Sequence, residues 1–198
     1  MTDRQRVRRG DGRERALDAA YRLFLEQGYD GTTLREVAAA AGVAEQTIYY
    51  LFGSKEQLLR ETESRWVLGG TPLTTWRDAP WAGELLAETD PRALIARFVL
   101  VDGQIKKRLA TWTVAVGRAS PPSPQNFHGR DEFFAFLVDR TADLAEGNRT
   151  MARERTIDAV RVLNSLENYI ELTTRRMWSD DEWAEWITAA LSWLLIDG

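Results

Sequence analysis

The chain has 198 residues, 44% of them hydrophobic and 28% charged, enough apolar material for a sizeable core and an ordinary charge load for a soluble protein. It has no cysteine and a single histidine, His128, which excludes disulfides, thiol chemistry, zinc fingers and a di-iron bundle built on paired Glu-x-x-His motifs. No apolar run reaches the roughly 18 residues of a membrane span, and the Arg-rich N-terminus lacks the apolar centre of a secretory signal. A cytoplasmic protein without cofactor or metal, and with no membrane partner, is expected.

Net charge is −4, but it is unevenly spread. Residues 1–15 carry Arg4, Arg6, Arg8, Arg9, Arg13 and Arg15 against Asp3, Asp11 and Glu14. Residues 61–198 carry 16 basic and 21 acidic side chains. A basic end on an acidic body suits a protein that offers nucleic acid only one of its ends. A solvated tail explains the same arginines, so residues 1–11 are read as a flexible basic arm with both roles open.

In chain order the apolar spacing is helical throughout, and strand-like alternation is absent. A first helix is predicted from about Gly12 to Gln27, opened by the capping-box spacing Asp11/Glu14 and stopped at Gly28. Thr33 and Glu36 form a second such box, opening a short helix with Leu34, Val37, Ala38 and Ala41. Gly42 then supplies a turn, and a third helix covers about Ala44 to Phe52. Ser54 and Gln57 cap a fourth, which carries Leu58, Leu59 and Trp66. Residues 69–90 read as irregular, with a short helix near 81–88. Asp90-Pro91 starts a long helical pattern that Gly103 is expected to interrupt. Ala119 to Asn126, with three prolines, reads as a loop that leaves His128 exposed. Helices follow over about 129–146, 151–177 and, behind the box Ser179/Glu182, 179–196.

The stretch Thr32 to Leu59, TTLREVAAAAGVAEQTIYYLFGSKEQLL, joins two short helices through a glycine turn, with a helix on either side. That is helix-turn-helix grammar, in which the second helix enters the major groove. Its first residues are Glu45, Gln46 and Thr47. Gln pairs bidentately with adenine, Glu accepts from cytosine N4, and Thr meets a base or a thymine methyl. Tyr49 and Tyr50 have hydroxyls able to donate to phosphate, and Lys55 adds an ammonium to the anion-favouring start of the next helix. Thr33 offers a similar site. Capping alone also accounts for Thr33 and Ser54, and inward packing for either tyrosine.

From about Arg13 to Leu59 the sequence resembles the DNA-binding domain of the TetR family. The resemblance rests on Ala19-Ala20, Leu23-Phe24, Gly28-Tyr29, Thr32-Thr33, Val37-Ala38, Ala41-Gly42-Val43, Thr47-Ile48-Tyr49, Phe52 and Ser54-Lys55. Met177-Trp178-Ser179, before the last helix, is similar to a segment common in that family. The resemblance implies phosphate contacts from Thr33, Tyr49 and Lys55, with Glu45, Gln46, Thr47 and Tyr50 at the groove. Four positions depart from it. Ala44 replaces a common capping Ser, at a cost of about 1 kcal/mol. Glu45 stands for a frequent Lys or Arg and puts its own contact in doubt. Leu51 and Gly53 stand for an aromatic residue and a Pro.

The expected architecture is all-α. A three-helix helix-turn-helix domain (residues 1–60) precedes a larger helical effector-binding and dimerisation domain (61–198). The resemblance implies a homodimer formed by the last two helices, for which Trp183, Trp186, Trp193 and Leu194 are the interface candidates. It also implies repression as the default. The middle helices are rich in aromatic residues. Trp66, Phe98, Trp112, Phe134, Asn164 and Asn168 are candidates to line a pocket for a small, largely hydrophobic effector, with Phe133 and Phe136 nearby in sequence. Ordinary core packing accounts for each of these as well. The expected function is a ligand-responsive regulator that binds double-stranded DNA. The alternatives are a helical enzyme or a protein-binding adaptor, although no nucleophile–base pair, metal cluster or phosphate loop is present to support catalysis.

Overall fold

The computed structural model describes residues 3–67, 73–117, 124–145 and 151–197, with no strand among them. The chain divides into two compact units. Residues 1–70 and 111–121 form unit one, and residues 71–110 and 122–198 form unit two. The division expected at residue 60 therefore falls elsewhere, because apolar side chains after position 110 are needed to complete the first core.

Unit one is built on α1 (Asp3–Gly31), α2 (Leu34–Ala41), α3 (Glu45–Phe52) and α4 (Lys55–Thr62), the last widening into a π-turn over Glu63–Val67. Helix α1 reaches back to Asp3, so the backbone read as a flexible arm is helical and Asp11/Glu14 is not its start. Gly28 departs from helical geometry at φ 75°, ψ 174°, where the helix was expected to stop. Its carbonyl accepts from the buried Thr32 hydroxyl at 2.8 Å. The core joins Ala16, Leu17, Ala20 and Phe24 to Val37, Ala38, Ile48, Phe52, Leu58 and Leu59, together with Trp112 and Val116. Each large apolar side chain buried here is worth about 1.5–3 kcal/mol.

Unit two contains a 3₁₀ turn (Leu73–Asp78), α5 (Ala82–Ala87), most of α6 (Pro91–Val116), α7 (Pro124–Ala145) and α8 (Arg153–Leu163). It ends with α9 (Leu166–Ile170), a π-turn over Glu171–Arg175, and α10 (Asp180–Ser192) running into a final π-turn over Trp193–Asp197. Asp90 caps α6 by accepting from the Ala93 N–H at 2.7 Å.

Three expectations are corrected here. Gly103 does not interrupt α6; a Cβ there would lie 2.9 Å from Cζ3 of Trp183, so the glycine serves close packing. Helix α7 begins at Pro124, so His128 has helical backbone, while residues 119–123 of the expected loop lie outside the described residues. The single helix expected over 151–177 is broken at Asn164, after which Ser165 caps α9 by accepting from the Asn168 N–H. The core holds Trp76, Leu85, Leu94, Phe98, Phe133, Phe134, Leu137, Val160, Tyr169, Trp183, Ile187 and Leu191.

Candidate nucleic-acid interface

The turn between α2 and α3 rests on Gly42 at φ 65°, ψ 40°, a left-handed conformation that suits glycine. Its N–H closes α2 on the Ala38 and Ala39 carbonyls. At the other end of α2, Thr33 and Glu36 complete the capping box seen in the sequence. Thr33 Oγ1 accepts from the Glu36 N–H at 3.2 Å, and the Glu36 carboxylate accepts from both the N–H and the hydroxyl of Thr33 at 2.8 Å. Those bonds hold the Glu36 carboxyl below the usual range. The Thr33 hydroxyl is thus already engaged.

Helix α3 buries Ile48 and Phe52 and turns its other side outward, since positions four apart share a face. Glu45 and Gln46 are exposed, Thr47 is half-buried, Tyr49 is 53% exposed and Tyr50 73%. The tyrosines therefore do not pack inward. Ala44 has an extended backbone and makes no side-chain cap, as the missing hydroxyl predicted. Gly53 closes α3 at φ 74°, a value closed to proline.

Helix α4 starts at Ser54, whose hydroxyl accepts from the Gln57 N–H at 3.1 Å. Lys55 Nζ sits 4.1 Å from the centroid of the Tyr29 ring. That cation–π contact directs the ammonium without neutralising it. Tyr29 in turn donates to Glu56 at 3.1 Å. Burial, then that acceptor, push the Tyr29 hydroxyl up to about 12, so it remains a donor at neutral pH. Arg35 was missed in the sequence reading. It is exposed in the first turn of α2, and no ion pair involves it among the described residues. Arg13 and Arg65, by contrast, are paired with Glu61 and Glu14.

The other candidates separate. Trp66 and Trp112 belong to unit one, where both stack on Tyr21 at 5.3 and 5.9 Å and Trp112 also meets Phe24 edge-on. Phe98 and Phe134 lie in the core of unit two, 6.0 Å apart, with Phe133 4.5 Å from Phe98. Asn164 is buried and donates to Asp102 at 2.8 Å. Asn168 donates to the Val162 and Leu163 carbonyls at the joint between α8 and α9, which gives it a local structural task. Trp183 is buried in the core and Leu194 packs against it, whereas Trp186 is 36% and Trp193 65% exposed.

Residues 16–62 match the family model described as bacterial regulatory proteins, tetR family. The HTH-type transcriptional regulator LmrA of Bacillus subtilis (strain 168) is 49% identical over 53 residues, 26% of this chain and 28% of that protein. The biofilm operon icaADBC HTH-type negative transcriptional regulator IcaR of Staphylococcus epidermidis is 34% identical over 50 residues, 25% of this chain and 27% of its own length. These matches thus span little more than a quarter of either relative. Over nearly the whole chain, the fold is similar to that of a transcriptional regulator from Saccharomonospora viridis in complex with choline. The TM-score is 0.68 at 21% identity, covering 92% of this chain and 96% of that one. FadR from Bacillus subtilis in complex with stearoyl-CoA gives a TM-score of 0.67 at 15% identity, covering 92% and 97%. Residues 16–62 thus carry the DNA-binding domain that marks the tetR family of bacterial regulatory proteins.

Proposed function

We propose that this chain is a ligand-responsive repressor that binds a palindromic operator as a homodimer and is released by a small, largely hydrophobic effector held in unit two. The observation that carries the proposal is the outward face of α3, where Gln46, Tyr49 and Tyr50 are exposed while Ile48 and Phe52 anchor the helix. Gln46 and Thr47 read base edges, joined by Tyr50, and Glu45 favours a cytosine N4 where it faces one. Tyr49, Lys55 and Arg35 at the start of α2 hold phosphates, and Thr33 joins them by turning its hydroxyl from Glu36 to the phosphate.

One such helix contacts few bases, so specificity calls for two heads on a two-fold axis. Trp186 and Trp193, seven residues apart with the exposed Ala189 between them, put an apolar stripe on the outside of the last helical segment. That stripe, with Val162 of α8 at 66% exposure, is the proposed dimer face. Trp183, buried in its own protomer, is not part of it. Repression is in keeping with the name of IcaR, and a small-molecule effector with the choline and stearoyl-CoA complexes of the structural relatives.

Selection from a random duplex pool, followed by titration of the winner at rising salt, tests this reading. A palindromic winner whose affinity falls steeply with salt is expected. A pool with no enriched sequence, or binding indifferent to salt, rejects it.

A further inference from the structure

Unit two buries an ion pair in its apolar interior. Asp102 and Lys106, one turn apart on α6, are 5% and 4% exposed and bonded to each other. Asn164, 1% exposed at the break between α8 and α9, donates its amide N–H to the same carboxylate oxygen at 2.8 Å. Trp183 of α10 completes the group. Its ring lies 5.6 Å from Lys106 Nζ and against the backbone of Gly103.

The pairing is incomplete. The Asn164 Oδ1 acceptor and the Trp183 Nε1 donor are both buried and have no partner. Among the described residues the Lys106 ammonium makes one hydrogen bond, to Asp102, out of three available donors. A buried polar group left unsatisfied costs about 1–3 kcal/mol, and an apolar cluster in these positions would avoid that cost. Three elements bring two kinds of unmet group into one buried cluster around Asp102, donors on Lys106 and Trp183 and an acceptor on Asn164.

We propose that Asp102, Lys106, Asn164 and Trp183 form the polar end of the effector site, and that it selects an apolar molecule bearing an uncharged head that both donates and accepts, such as a hydroxyl or a primary amide. The inference rests on the reading of unit two as the effector domain. The head donates to Asn164 Oδ1 and accepts from Lys106 or Trp183, while the apolar body lies among the aromatic side chains of the core. The Asp102–Lys106 pair has no net charge. A carboxylate or ammonium head would therefore enter as an uncompensated third charge, which a buried site disfavours strongly. Burial already pulls the Lys106 ammonium well below its usual pKa, and the charges acting on it from other elements, Arg130 and Glu167, oppose one another. Only a glycine at position 103 allows the Trp183 ring to lie so close to α6.

Calorimetric titration of the full chain with two matched series tests this. One series is 1-octanol, octanamide, octanoate and octylammonium. The other is p-cresol, p-toluamide, p-toluate and benzylammonium. In at least one series the neutral heads are expected to bind ten or more times tighter than the charged ones. Asn164→Leu should cut that preference at least tenfold. The double variant Asp102→Val/Lys106→Met, which replaces the ion pair with apolar groups and is expected to fold, should abolish it. No binding, equal affinity for charged and neutral heads in both series, or a preference that survives in both variants overturns the inference. Head selectivity is read without DNA. Loss of salt-dependent DNA binding in the same protein would therefore remove the regulator reading and leave the site standing.

Discussion

At the scale of single residues, charge and hydrogen bonding decide who faces a phosphate. Arg35 is the clearest case, an exposed guanidinium in the first turn of α2 with no carboxylate claiming it among the described residues. A phosphate contact removed by Arg35→Ala should weaken binding to all sequences about equally. It should also lower the slope of log affinity against log salt by about one. An unchanged slope, measured by fluorescence anisotropy, would take Arg35 out of the interface. A different side chain controls the acid limb of stability. Asp180 accepts from Lys107 at 2.6 Å and from the Tyr169 hydroxyl at 2.5 Å, and both bonds hold its carboxyl below the usual carboxylate range. A carboxyl lowered in the folded state contributes stability that is present above its unfolded pKa and lost as pH falls through the folded one. Asp180→Asn should therefore reduce Tm at neutral pH and shrink the drop in Tm between pH 5 and pH 2. Because Lys107 and Asp180 are both well exposed, the effect is modest.

At the scale of elements, each helix shows which sequence signals travel. The boxes at Thr33/Glu36 and Ser179/Glu182 are local, a hydroxyl and a carboxylate three residues apart, and both form as the spacing implies. The same logic makes Ala44 a weak start. Ala44→Ser should supply the missing cap and raise stability by about 0.5–1 kcal/mol in urea unfolding, while a neutral result would mean water caps α3 as well. What sequence could not show is tertiary in origin. Gly103 looks like a helix breaker, yet its meaning lies in a tryptophan eighty residues away. Gly103→Ala should cost about 1–3 kcal/mol through overpacking, where a surface glycine in a helix would instead gain by the change. Asp102 and Lys106 have the spacing of an ordinary surface pair, and only the fold reveals that they are buried. Aromatic composition made Trp66 and Trp112 pocket candidates and could not show that both stack on Tyr21 in unit one, Trp112 buried and Trp66 exposed.

At the scale of the whole molecule, the proposed reading of two half-sites turns on how many chains act together. The motif over residues 16–62 and the outward face of α3 were legible because a reading head depends on local spacing. The residues of the proposed interface were less legible because the apolar face of the last helix divides in two. Trp183, Ile187 and Leu191 fill the protomer's own core, while Trp186 and Trp193 remain outside it. Sequence periodicity gives one broad stripe and does not divide it. The division leads to a specific expectation. Trp193→Glu, at a position 65% exposed, should leave the fold of the protomer intact, so helical content and monomer compactness should match those of the parent. It should nevertheless place a carboxylate in an apolar interface and separate the dimer. Light scattering should report the lower mass, and affinity for a palindrome should fall much further than affinity for a single half-site, since only the former needs two linked heads. If Trp193→Glu stayed dimeric with unchanged palindrome binding, pairing would have to run through another surface. If the variant unfolded, Trp193 would be a core residue despite its exposure, and Trp186→Glu would carry the same test on the neighbouring turn.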